Sequence, residues 1–474
     1  MTPTLEQSAI INLDLKPGEA TKVIAYAGTG KTTTLAEYAK AHRGANILYL
    51  AFNKSVETDA KRRFPLNTVS KTIHALAYSV CGAKYMDVVG GLKSYQITKH
   101  CHCQLYLASI IRNSLDNWLN SADDLPTVAH VVEDELGLLP PGYEDRVIAE
   151  IGTLFRAMVD EILPMTHNGY LKQYQLTKPQ LRWDTILLDE AQDTNPVTLA
   201  LVMNQPHARV ILCGDPYQQI YSWRGAIDAM TKVDAPTLRL TKSFRFGANI
   251  CSYANKLLSS LLGETIPVEG TEQSSDPNPK RATIHRTNSG LFDSAVSLLQ
   301  SSSPFSVVGE TRFGYLLDDV LDVYYLSVGK TSQIKSKVYK WEKSYQGLIE
   351  KATLSLDYEL QQKIAMVDKH KSNIPDYVRQ IRDLIKGEAL CDTVLVTGHQ
   401  AKGLEWSTVT LASDFPSLQN VLGKTKTVLP KADKNSEDHL AREEANLLYV
   451  ACTRAKQILN AGHSVERFMR EGTV

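Results

Sequence analysis

Short apolar runs recur along the chain, each ending in a polar or glycine-containing turn and most followed by helical periodicity. The first, Val23-Ile24, leads into Ala25-Tyr26-Ala27-Gly28-Thr29-Gly30-Lys31-Thr32 and then into a helix predicted over residues 33–40. Strands are predicted next at 47–52, 69–74, 183–188 and 209–213. A second series begins at Leu238-Arg239-Leu240 and continues at 282–285, 306–308, 393–397 and 407–411. Strands alternating with helices argue for an α/β architecture with parallel sheets. Two blocks break the alternation. Residues 76–178 carry helical periodicity, clearest over 104–118 and 146–161, and residues 328–388 are again helical and charged. Polar loops are expected at 267–280 and 424–437, and a helix over 443–456 is expected to close the chain.

Composition narrows this only modestly. A chain of 474 residues is too long for one core, so several domains are expected. The 52 basic and 52 acidic side chains cancel, so no global basic field advertises nucleic acid, although a narrow groove can be basic on a neutral protein. The polar first residues lack a signal-peptide core, and no apolar run is long enough for a bilayer; no membrane partner and a cytoplasmic location are expected. Seven mostly isolated cysteines suggest a reduced, intracellular protein. Lys99-His100-Cys101-His102-Cys103 is either a metal-binding stretch or a helix carrying His and Cys, and no second ligand pair stands at zinc spacing.

The candidate chemistry starts at the glycine-rich turn. Strand, turn and helix in that order form a phosphate-binding loop, with Ala25 where a first glycine is usual. Residues Ala27, Gly28, Thr29, Gly30, Lys31, Thr32 and Thr33 make the expected ATP cradle. Lys31 reaches the β- and γ-phosphates, and the Thr32 hydroxyl ligates Mg²⁺. The run at 183–188 delivers Asp189-Glu190-Ala191-Gln192-Asp193: Asp189 as a second Mg²⁺ ligand, Glu190 as the base for the attacking water. Gln218 has the reach to sense a γ-phosphate. Tyr221, Trp223 and Arg224 follow directly, a candidate stacking platform for unpaired bases. Phe52, Asn53, Thr72 and His74 arrive at the same strand ends, suited either to phosphate contacts with base stacking or to helix caps and packing. Gln7 is a candidate adenine reader, weak on its own.

These motifs, together with Gly214 to Gln218, His399-Gln400-Ala401-Lys402-Gly403-Leu404-Glu405 and Tyr449 to Arg454 in this order, resemble those of the UvrD/Rep-type superfamily 1 DNA helicases. Finer texture is similar to the helicase core of the F-box DNA helicases. It lies in Thr166-His167-Asn168-Gly169-Tyr170-Leu171-Lys172, Leu240 to Gly247, Ala401 to Trp406 and Asn446 to Lys456, and no F-box precedes the phosphate loop. The resemblance implies two RecA-like parallel-sheet motor domains forming an ATP cleft, each with a mainly helical insertion. The first motor domain would take residues 1–75 and 179–235, with insertion 76–178. The second would take 236–327 and 389–474, with a reduced insertion at 328–388. It also implies that Gln7 reads adenine, Phe244 stacks on it, Gly403 and Glu405 line the nucleotide with Glu405 on the ribose, and Arg245 and Arg454 are arginine fingers. On the DNA side it implicates Phe52, Asn53, Thr72, His74, Tyr221, Trp223, Arg224, His399 and Lys402. The implied activity is ATP-dependent 3′→5′ translocation on single-stranded DNA, unwinding duplexes or displacing bound proteins, in DNA repair or recombination. The implied partners are single-stranded DNA, single-strand/duplex junctions and recombination or nuclease proteins; the location would be nucleoid-associated, or nuclear in a eukaryote. A motor subunit of a nuclease complex and a DNA-independent P-loop NTPase are the alternatives. Residues 166–172 receive no role beyond starting a helix, and the small 328–388 region is expected to give weak self-inhibition.

Overall fold

Eleven strands build two all-parallel sheets in the computed structural model, which describes residues 2–222, 225–274, 276–340, 342–416 and 437–471. The chain divides into two units, Met1–Lys242 and Ser243–Val474, each with its own sheet.

In the first unit the strands are β1 (Ala20–Ala25), β2 (Ile47–Ala51), β3 (Thr68–Thr72), β4 (Thr185–Leu188), β5 (Arg209–Gly214) and β6 (Thr237–Leu240). Their order is β3-β2-β4-β5-β1-β6. β2 and β4 are buried at every position, as expected of parallel strands covered on both faces. Leu35, Tyr38 and Ala39 of the helix Lys31–Ala41 pack with Val23, Tyr49, Leu187 and Ile211 in one core. That packing holds the phosphate loop rigidly between β1 and its helix. The ends of β1, β5 and β4 then follow one another along the carboxyl edge of the sheet, where ligands bind in open parallel sheets.

One strand changes allegiance. The run at 238–240, expected to open the second half, pairs with β1 through Lys22–Thr237 and Ala25–Leu240 and closes the first sheet. Glu6 fastens this edge, accepting from both the backbone N–H and the hydroxyl of Thr241 at 2.8 Å. Residues 76–178 form helices, among them Ser94–His100, Leu105–Asn120, Tyr143–Val159 and His167–Leu176, and hold no strand among the described residues.

The second unit holds β7 (Arg281–His285), β8 (Ser306–Val307), β9 (Thr393–Thr397), β10 (Trp406–Leu411) and β11 (Ala455–Asn460), ordered β11-β10-β7-β9-β8. The last strand corrects the expectation of a closing helix over 443–456. The helix is Glu437–Cys452, after which the chain pairs with β10 and ends in the helix Gly462–Glu471. β11 is a sheet-edge strand with Ile458 54% exposed, so it lacks the apolar run that would have announced it.

The 328–388 block is not a separate body within this unit. Ile334, Tyr339, Leu348, Ile364, Val378 and Ile381 share one core with Phe292, Phe305 and Leu395 of the sheet layer. The stretch expected as a loop at 424–437 falls almost wholly outside the described residues. No helix among the described residues is long and apolar enough to cross a membrane.

Candidate nucleotide site and strand cleft

The loop after β1 turns twice through left-handed backbone, at Gly28 (φ +76°) and Gly30 (φ +79°), where a side chain would be strained. These turns direct backbone N–H groups inward and start the helix at Lys31. The Lys31 ammonium lies 3.1 Å from Glu190 Oε1. Burial opposes its charge, but the carboxylates of Glu190, Asp215 and Asp189 outweigh that cost and raise its pKa above the ordinary lysine value. It is therefore a cation held for an anion. Thr32 Oγ1 donates to Asp189 Oδ2 at 3.0 Å. A hydroxyl and a carboxylate this close would suit a Mg²⁺ ion, a hard cation that takes oxygen ligands.

Two groups tighten this arrangement that sequence reasoning left without a role. The Tyr49 hydroxyl, from buried β2, donates to Asp189 Oδ2 at 2.5 Å. Burial, reinforced by Glu190, raises the Asp189 pKa, while Lys31 opposes the shift. Gln192, fully buried, joins the turn after β4 to the end of β5: its Nε2 donates to Glu190 Oε2 at 2.5 Å and Asp193 Oδ2 at 3.2 Å, and its Oε1 accepts from Asp215 N at 2.9 Å. Gly214 makes room for it, since a Cβ there would sit 2.3 Å from Gln192 Oε1. Gln218 in turn donates to Asp215 Oδ2 at 2.6 Å, and burial pushes that carboxyl up to about 6. The result is a chain running from half-buried Glu190 through buried Gln192, Asp215 and Gln218. Glu190 itself occupies left-handed backbone at φ +52°, a conformation that costs a non-glycine residue about 1 kcal/mol and concentrates at functional sites.

A cleft of about 970 Å³ opens in the same unit. Phe52, Asn53, His74 and Tyr221 line it, as do Asp189 and Asp193 from the turn after β4. Phe52 and Tyr221 stack, with ring centroids 5.5 Å apart and planes at 21°. Asn53 caps the helix Lys54–Arg63 by accepting from Val56 N, and Thr72 caps the helix Ile73–Ala77 by accepting from Ala75 N. Thr72 ends β3, so His74 sits on a short helix and not on the strand that the apolar run suggested. His167, Asn168 and Tyr170, from the motif that had no assigned role, complete the wall facing His74. Lys172, one turn further, is buried and donates to the carbonyls of Ser121 and Asp123, and burial pulls it down to about 8. Trp223 and Arg224 lie outside the described residues.

Gln7 spends its side chain locally: its Oε1 accepts from Thr4 N at 3.0 Å in a capping box of the helix Leu5–Ile11. In the second unit, Arg245 Nε donates to Glu405 Oε2 at 2.8 Å and its Nη1 to Thr453 O at 3.2 Å. Arg454 shares Thr453, donating to its Oγ1 at 3.2 Å and to Val450 O at 2.9 Å. Arg454 is 1% exposed, held within its own unit by these bonds. Glu405 and Arg454 precede β10 and β11, at the amino edge of the sheet. His399 follows β9, at the carboxyl edge. Lys402 and Gly403 (φ +84°) lie on the crossing between these edges, and Phe244 is half-buried beside Arg245.

A phosphate loop leaving an inner strand of an all-parallel sheet, with acids delivered two strands away and a second parallel sheet in the chain, defines the two-lobed RecA-like class of P-loop proteins. The profile described as the UvrD/REP helicase N-terminal domain matches residues 142–235, and that of the UvrD-like helicase C-terminal domain matches 245–461. F-box DNA helicase 1 of Gallus gallus is 32% identical, covering 98% of this chain and 49% of its own length. F-box DNA helicase protein 1 of Schizosaccharomyces pombe is 30% identical, covering 96% of this chain and 57% of its own. DNA helicase II of Escherichia coli is 27% identical over 32% of this chain and 27% of its own length. The chain belongs to the UvrD/Rep-type helicase family and spans about half the length of the F-box relatives it matches.

Proposed function

We propose that this chain is an ATP-driven motor that travels 3′→5′ on single-stranded DNA and uses the movement to unwind duplexes or displace bound proteins. The observation that carries the reading is the double position of Asp189. It accepts from Thr32 at the phosphate loop and also lines the cleft of Phe52, His74 and Tyr221, so hydrolysis and strand binding meet on one turn.

In this reading Lys31 holds the β- and γ-phosphates. A triphosphate competes with Glu190 for that ammonium, and the released carboxylate takes the proton of the attacking water. Thr32 and Asp189 would hold Mg²⁺, which neutralises charge on the phosphates and orients them. Gln192 positions Glu190 and passes any displacement of it to the Asp215–Gln218 segment. Arg245 and Arg454 are assigned to the charge that develops on the transferred phosphoryl group, and Glu405 to the ribose. Trp223, with Arg224, is assigned to base stacking. The first motor domain is assigned residues 1–75 with 179–242, which takes in β6, and the second 243–327 with 389–474.

The test is unwinding of duplexes that carry either a 3′ or a 5′ single-stranded tail. Opening of the 3′-tailed substrate alone is expected. Preference for the 5′ tail would overturn the polarity, and ATP turnover indifferent to DNA would leave a plain NTPase.

A further inference from the structure

The cleft side chains, and Thr72 beside the lining residue Ile73, divide by what their own contacts leave unused. Asn53 Oδ1 accepts from Val56 N and Thr72 Oγ1 accepts from Ala75 N, so each spends an acceptor on a helix cap and keeps N–H or O–H donors for a ligand. His74 does the reverse. Its Nε2 lies 3.3 Å from Asn168 Oδ1, and an amide oxygen only accepts, so the proton of the ring is on Nε2. Nδ1 then carries a lone pair, with no partner among the described residues. A phosphate diester offers only acceptors and cannot bind that atom.

We propose that His74, held in its Nε2–H tautomer by Asn168, accepts a hydrogen bond from the exocyclic amine of a nucleobase in the cleft, while Asn53 and Thr72 take the phosphates. This rests on the reading of the cleft as the DNA path, and it gives residues 166–172 a purpose, with Asn168 a positioning residue acting through His74. The surroundings agree. Burial is the main influence on His74 and lowers its pKa, with the nearby His167 adding to the effect and the Asn168 bond opposing it, so the ring is neutral at pH 7. His167 and Tyr170 pack edge-on against it at centroid distances of 6.3 and 6.2 Å, and the carboxylates lining the same cleft are Asp116, Asp189 and Asp193. The stacked Phe52–Tyr221 pair offers an aromatic surface for the face of a base in the same cleft.

The experiment compares binding of oligodeoxycytidine, whose exposed edge offers an amine, with oligodeoxyuridine, which offers a carbonyl there. Both are measured with the full chain at pH 7.5 over a range of salt. The cytidine strand is expected to bind about fivefold tighter, the effect of one net hydrogen bond. His74→Ala should erase that ratio while leaving the salt slope, and hence the number of phosphates neutralised, unchanged. Asn168→Ala should reduce the ratio and convert the ¹⁵N signals of the His74 ring from a pure Nε2–H pattern to a mixture of tautomers. A merely structural role would not move those signals. Equal affinity for the two strands with normal DNA-stimulated ATP turnover overturns this proposal alone, as does a salt slope that falls in His74→Ala. Turnover that ignores both strands overturns the motor reading, and this one with it.

Discussion

The two units place their chemistry at opposite edges of otherwise similar sheets. In the first, Lys31, Asp189 and Asp215 follow β1, β4 and β5, so every group sits where its own strand stops. In the second, Glu405 and Arg454 precede β10 and β11; Glu405 accepts directly from Arg245, and Arg454 is tied to Arg245 through Thr453. A carboxyl edge supplies helix N-termini and backbone N–H groups, which suit phosphate. An amino edge supplies no such array, so whatever it contributes to an anion comes from side-chain cations. The first unit is thus built as a site, the second as a set of charges braced by carbonyls.

That contrast can be broken by substitution. Lys31→Ala should reduce ATP turnover at least 10³-fold, because charge on the transferred phosphoryl group loses its fixed partner. Normal turnover would remove the first unit from the chemistry. Arg245→Ala should lower turnover by about 10²- to 10³-fold with little change in the thermal midpoint, the mark of a cation that acts in the transition state. Arg454→Ala differs in kind. Its guanidinium is buried against Val450 O and Thr453 Oγ1, so its loss should cost roughly 2–4 kcal/mol of stability, read as a lowered thermal midpoint of the second unit. An unchanged midpoint would mean that Arg454 is not a brace.

A smaller effect tests the buried chain of the first unit. Asp215 is raised to about 6 by burial, so between its unfolded value and about 6 the folded state holds a proton that the unfolded state releases. This carboxyl should therefore reduce stability as the pH rises from about 4 to 6, by about 1–3 kcal/mol, after which the deficit stays constant. Asp215→Asn should flatten that part of the profile. A wild-type profile already flat there, with the variant identical, would contradict the assignment.

Most of the first unit was legible because each of its signals is local. A short apolar run followed by Gly28, Gly30 and Lys31, or by Asp189 and Glu190, names both strand and site. What stayed hidden needed partners far along the chain. Tyr49 looks like any core aromatic until its hydroxyl meets Asp189, 140 positions away. Gln192 was visible in its motif, but only the close approach of Gly214 reveals the bond to Asp215. The Gly214 and Gln192 neighbourhood is the signal that could have found it, a glycine at a strand end beside a buried amide. Asn168 and His167 belong to a helix 94 residues beyond His74, and nothing local links the two segments. In the second unit β11 escaped because an edge strand of mixed polarity has no apolar run. The 328–388 block read as an appendage because its helical period does not say whose core it joins. Its apolar face proves continuous with Phe292 and Phe305. Deleting it would strip that core, so point changes on its exposed lysines such as Lys337 and Lys340 are the better probe of self-inhibition.

In the proposed motor one turn, carrying Asp189 and Glu190, serves both ATP and the DNA strand. Steady-state ATP turnover of the full chain, titrated with oligodeoxycytidine at fixed low salt, tests it most directly. Stimulation of at least about tenfold is expected, saturating with strand concentration and falling as salt strips the strand from the protein. A constant rate across the titration, with the strand bound, would contradict it.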